Sequence, residues 1–187
     1  GTTTVFTISA GITINGTEDN FTALLQDENN SQVSITNQNL TVSDAVSVAN
    51  AKLLAATTTG TVTATIDTTE TVDTLKTLYD TSETHAWTIV IRAEDAQICT
   101  AVQLNTINAA TSEPVSLTNV TALAGSSLTD LGTLATAIQN NEFSNATGLT
   151  TIAVSDSNID ASTLAATIIS YDTINGGGGT TNYTNGF

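Results

Sequence analysis

The sequence predicts an α/β fold, a solenoid-like repeat array of strand–helix units on a parallel sheet. Three observations lead there. A short strand, a Ser or Thr and a helix follow one another three times with one shared spacing. A second kind of strand–helix unit alternates with the first. Strands that alternate with helical patterns of about 10–15 residues build parallel sheets through helical crossovers. The alternative is an all-β sandwich, because the abundant Thr and Val also favour strands.

Residues 1–10 (Gly-Thr-Thr-Thr-Val-Phe-Thr-Ile-Ser-Ala) read as an extended, β-prone segment. Residues 11–174 hold the array. The first kind of unit opens it with Ile12-Thr13-Ile14-Asn15-Gly16-Thr17, then Phe21, Leu24 and Leu25. It returns as Ala64-Thr65-Ile66-Asp67-Thr68 before Val72, Leu75 and Leu78, and as Val120 to Ser127 before Leu131 and Leu134. Each copy has Ser or Thr (Thr17, Thr68, Ser127), three residues, an apolar residue, two residues and Leu. The hydroxyl suits an N-cap, and the apolar pair shares one helix face.

The second kind has a Val- or Ile-rich strand, an acidic step and an Ala-rich helix. Its copies are Leu40 to Asp44 with Val48, Leu53 and Leu54, and Thr151 to Asp156 with Ile159, Leu164 and Ile168. The middle copy is looser, running from Ile89 to Asp95 and then through Val102, Leu104 and Ile107. Gly60 and Pro114 break the chain after the first two of these helices. The units alternate with a paired period of roughly 50–60 residues, within the range of arrays. The core should set Leu24, Leu53, Leu75, Ile107, Leu131 and Leu164 against Ile14, Val42, Ile66, Ile91, Leu123 and Val154. Residues 175–187, rich in Gly, Asn and Thr, read as a flexible tail.

Composition narrows the classes of function. About a fifth of the residues are Thr, and charged residues make up only 11% against about 25% in typical domains. Surfaces of Thr, Ser, Asn and Asp suit secreted proteins better than cytosolic enzymes. Lys52, Lys76 and Arg92 face 18 acidic residues, for a net charge of −15. That balance repels nucleic-acid phosphates and anionic membranes. No apolar run is long enough to insert in a bilayer. No signal peptide is visible, and the chain opens at Gly1 rather than Met, as a processed product, an expressed piece or a sequence read from a map would. Cys99 is the single cysteine, without His nearby, and reads as a buried, unreactive thiol.

Chemistry is sparse. His85, in Ser82-Glu83-Thr84-His85-Ala86-Trp87, is the only histidine and reads as a surface or strand-edge residue. No nucleophile elbow or phosphate-binding loop is present, since Gly176 to Gly179 are not followed by Lys-Ser/Thr. A divergent hydrolase centred on His85 is the least favoured reading. No catalytic residue and no cofactor are expected. Asp44, Asp95 and Asp156 recur at unit boundaries and are the candidate calcium ligands. Carboxylates at helix starts, favoured by the dipole, explain them equally. Seven Asn-x-Ser/Thr sequons matter only where the source glycosylates.

Val42-Ser43-Asp44 leading to Leu53-Leu54-Ala55-Ala56-Thr57-Thr58-Thr59-Gly60-Thr61-Val62, with Val120 to Gly125 as a second half, resembles a known pattern. It is similar to the repeats of giant cell-surface proteins of marine cyanobacteria and of structural proteins of cyanophages. The resemblance covers roughly residues 11–170 and departs from the pattern from Trp87 to Asp95. It implies an extracellular, cell-surface or virion-surface protein with a filamentous, adhesive or structural role, and carries no catalytic residue.

The expected function is a non-enzymatic subunit that assembles with copies of itself into a filament, sheath or surface layer. Val5, Phe6 and Ile8 are the candidate interface, by strand addition to a neighbour. The alternative is an adhesin or virion fibre that binds surface glycans.

Overall fold

The computed structural model describes residues 5–79, 84–176 and 182–185. The expected tail lies partly outside them, at 177–181 and 186–187.

The chain is α/β, with parallel sheets. A short strand β1 (Phe6–Thr7) precedes β2 (Thr13–Gly16) and helix α1 (Glu18–Asn29). Then come β3 (Val33–Ser34), β4 (Asn39–Val46) and α2 (Val48–Thr57), followed by β5 (Val62–Ile66) and a short α3 (Val72–Leu75) that tightens into a 3-10 turn. The middle holds β6 (Ala86–Thr88), a 3-10 turn at Ala93–Asp95 and α4 (Ala101–Ala109). The last part contains β7 (Val115–Ser116), β8 (Ala122–Ser126), α5 (Leu128–Gln139), β9 (Phe143–Ser144), β10 (Thr151–Val154), α6 (Ala161–Ile174) and β11 (Asn182–Asn185).

Strands β2, β4, β5 and β6 lie side by side in that order, and β8, β10 and β11 do the same. β1 pairs with β3, and β7 with β9. All these pairings are parallel. Parallel neighbours need a crossover, and the helices supply it. Hydrogen bonds between neighbouring strands therefore join residues one helical crossover apart in sequence, as in Asn39 N–H to Ile12 O, Leu40 N–H to Thr61 O and Ser155 N–H to Ser126 O. An all-β sandwich is ruled out by the helical crossovers and the parallel register.

One face of the strands is apolar. Leu40, Val42, Val62, Ala64, Ile66, Trp87, Leu123, Ile152 and Val154 point into a single core with Leu75, Leu104, Ile107, Leu131 and Leu134 of the helices. β5 shows the period of two plainly: Val62, Ala64 and Ile66 are buried while Thr63 and Thr65 are exposed. Ile14, Leu24 and Leu164 are half-buried at the two ends. One expected core residue is misplaced. Leu53 is 57% exposed, while Leu54 is 2% exposed. The inward stripe of α2 is Val48, Ala51 and Leu54, because Ser47 starts the helix and fixes its phase.

Other boundaries differ too. Thr71, not Thr68, caps α3, since Asp67 Oδ1 accepts from Thr69 N–H and holds Thr68 in a turn. The strand expected at Ile89 to Ile91 is at Ala86–Thr88, and Val90 makes only an isolated bridge to Ser116. Residues 182–185, expected in a flexible tail, pair with β10 as β11. Gly60 is required by packing: a Cβ there would lie 2.2 Å from Gln38 O.

Candidate functional site

The strand-to-helix turns form the most regular feature of the molecule. Each helix start leaves four backbone N–H groups without an intrahelical partner, among them those of its first and third residues. The third is met locally. Thr17, Ser47, Thr71, Thr100, Ser127 and Asp160 each accept from the backbone N–H three residues on.

The first is met from the next strand–helix unit. Glu18 N–H donates to Asp44 Oδ1 at 2.7 Å, and Val48 N–H to Glu70 Oε1 at 2.8 Å. Val72 N–H donates to Asp95 Oδ2 at 2.8 Å, and Ala101 N–H to Ser126 Oγ at 2.9 Å. Leu128 N–H donates to Asp156 Oδ2 at 2.6 Å. Helices α1 to α5 are thus each latched at their positive end by the following unit, four times by a carboxylate.

Asp44, Asp95 and Asp156, the candidate calcium ligands, all belong to this ladder. It distributes them among separate turns, each spending an oxygen on an amide. Among the described residues no group of three or more His, Cys, Asp or Glu side chains converges as a metal site. Glu70 and Ser126 complete the ladder and escaped the sequence reading. Each directly precedes an N-cap, but its partner lies 22 or 25 residues earlier, where no local spacing reveals it.

Asp95 is the most elaborate rung. It is 4% exposed, and Arg92 clasps it with Nε–Oδ2 at 2.8 Å and Nη2–Oδ1 at 3.1 Å. The Arg92 bonds hold its carboxyl below the usual carboxylate range, helped by the Val72 amide and opposed by burial. Arg92 also donates to Thr69 O, so this rung joins two turns.

The candidate interface lies at the other end of the strands. β1 pairs within the chain, as Phe6 N–H donates to Gln32 O at 2.8 Å. The side chains of Val5 and Phe6 remain exposed, Phe6 by 74%, and Ile8 is half-buried. Buried Gln38 ties the segment down, its Nε2 donating to Ile8 O and Ser9 O at 2.8 and 3.3 Å. Ile12 is also exposed, next to the outer edge of β2.

His85 is buried rather than on the surface. Its Nδ1 accepts from Val62 N–H, and its ring packs on Trp87 at 5.2 Å between centroids. A shallow cleft of about 590 Å³ lies beside it, lined by Lys52, Thr57, Thr59, Leu78 and Tyr79. Cys99 is buried, and burial pushes its thiol up to about 11. Among the described residues no helix is long and apolar enough to cross a membrane. Compared with protein-family models, with curated proteins and with solved structures, the chain matches none of them.

Proposed function

We propose that the chain is a non-enzymatic structural subunit, a short solenoid of strand–helix units that stacks end to end with copies of itself. The product is an extracellular filament, sheath or surface layer. The observation that carries this reading is the open edge at each end of the parallel ladder. Among the described residues β2 pairs only with β4 and β11 only with β10, whereas the free sides of β6 and β8 are bonded to the middle of the chain, as in Ser112 N–H to His85 O and Ala124 N–H to Cys99 O. Each internal unit satisfies its neighbour's strand edge and helix start, so an added unit at either end meets a surface of the same kind. A contact between unlike ends is heterologous and, unless it closes a ring, extends without limit.

Exposed Val5, Phe6 and Ile12 sit beside the first edge. Electron micrographs and light scattering of the purified chain test the proposal. Concentration-dependent filaments are expected, and the double variant Val5→Asp/Phe6→Asp should stay folded and monomeric. A chain that is monomeric at every concentration refutes it.

One observation favours the alternative, a glycan-binding adhesin or virion fibre. The exposed positions of β2, β4, β5 and β6 include Thr13, Asn15, Ser43, Thr63, Thr65 and Thr88, with half-buried Thr41 beside them and Asp44 as their single charged side chain. Hydroxyls and amides of that kind suit sugar hydroxyls. A selective hit on a glycan array, lost in Thr63→Val/Thr65→Val, would establish it in place of pure assembly.

A further inference from the structure

The placement of charge along the stack bears on how such assembly is controlled. Lys52, Lys76 and Arg92 all lie in the interior, on α2, on the turn after α3 and after β6. The first unit carries Glu18, Asp19, Asp27 and Glu28 on α1, and the last carries Asp156, Asp160 and Asp172 around α6. Neither end has a cation to offset its acids. Two interior acids are neutralised by a cation within the chain, Asp73 by Lys76 and Asp95 by Arg92, whereas the end acids Glu18, Glu28, Asp156 and Asp160 accept from uncharged amides and hydroxyls. Asp19 and Asp27 are exposed on the first helix.

Apolar surface is also uncovered at both ends, Val5, Phe6 and Ile12 at the first and Ile169 at the last. The occupant these ends fit is a second copy, because the contact would continue the unit-to-unit packing already made within the chain. Apolar burial draws the two ends together, and their like charges hold them apart.

Resting on the assembly reading above, we infer that end-to-end association is switched by ionic strength: held off in dilute salt by the acidic ends and released when salt screens them. Four negative charges meet three across such a junction. At a mean spacing of about 15 Å, a Debye length of about 14 Å in dilute salt leaves much of that repulsion, and one of about 4 Å in strong salt removes it. The difference corresponds to about fivefold tighter association. Screening is general, so the identity of the cation is immaterial.

Light scattering of the full chain, at fixed protein concentration in NaCl from about 0.05 to about 0.5 M, tests this. Association should tighten about fivefold, and CaCl2 at matched ionic strength should follow the same curve. The variant Asp19→Asn/Asp27→Asn, checked for folding by circular dichroism, should associate at lower salt with a shallower dependence. Association that is indifferent to salt or weakened by it, or driven by CaCl2 alone, overturns the inference while leaving self-assembly standing. A chain monomeric in every condition overturns both.

Discussion

Replacing Asp95 by Ala probes the ladder at its most buried rung. The carboxylate accepts from Val72 N–H and from two Arg92 donors. Val72 is buried, so its amide would lose its partner without gaining full access to water. An orphaned buried donor costs about 1–3 kcal/mol, and loss of a bond to a charged acceptor falls in a similar range. A total of about 3 kcal/mol follows. With an unfolding entropy of about 2.1 cal/mol/K per residue, a chain of 187 residues then loses about 8 °C in Tm.

Asp95→Asn keeps an acceptor for the amide and loses only the charge, so its loss should be about half as large. Asp73→Ala is the control, because its ion pair with Lys76 is exposed; Tm should move by no more than about 1 °C. The assay is thermal unfolding followed by circular dichroism. Its pH dependence has a definite sign. The folded carboxyl of Asp95 titrates below its unfolded value, so its contribution is present above about pH 4 and is lost as pH falls through the folded value. The gap between wild type and Asp95→Ala should therefore narrow in acid. An Asp95→Ala protein within about 1 °C of wild type at neutral pH would refute the reasoning.

Four further outcomes are expected. Asp160, whose carboxyl is bonded by Ser162 and by Thr163 and held down to about 2, should titrate near that value by NMR. Its capping of α6 is then intact above about pH 4 and lost as pH drops toward 2, and a midpoint near 4 would contradict it. Gly60→Ala places a methyl against Gln38 O and should lower the urea midpoint by the equivalent of about 1–3 kcal/mol; an unchanged midpoint would show that the approach relaxes freely. Leu54→Ala should cost about 3 kcal/mol, and Leu53→Ala about 0.5 or less, in the same unfolding assay. Reversed magnitudes would place α2 on the other face. Cys99 should resist a thiol reagent at pH 8 until urea unfolds the chain, and prompt labelling would contradict its burial.

The ladder also explains why local sequence leaves the role of its acids ambiguous. Asp44, Asp95 and Asp156 stood out because they recur at boundaries, and both a cation and a helix start would attract them. The structure gives each an amide partner 23 to 28 residues away. Charge placement identified the positions, but only folding supplied the partners.

What the sequence determined by itself is whatever depends on neighbours along the chain. Thr17 and Ser127 announce their helices because a cap acts across three residues. The alternation of Val62, Ala64 and Ile66 with Thr63 and Thr65 announces a half-buried strand, because side chains of a strand alternate between its two faces. Tertiary structure decided what depends on neighbours in space. It chose Leu54 over Leu53, moved the α3 cap from Thr68 to Thr71, buried His85 beneath Val62 and Trp87, and drew β11 onto β10. The phase of α2 and the cap of α3 follow from where the turns at Ser47 and Asp67 settle. The burial of His85 and the docking of β11 rest on groups roughly one strand–helix unit apart in sequence, whose juxtaposition exists only once the parallel register is set.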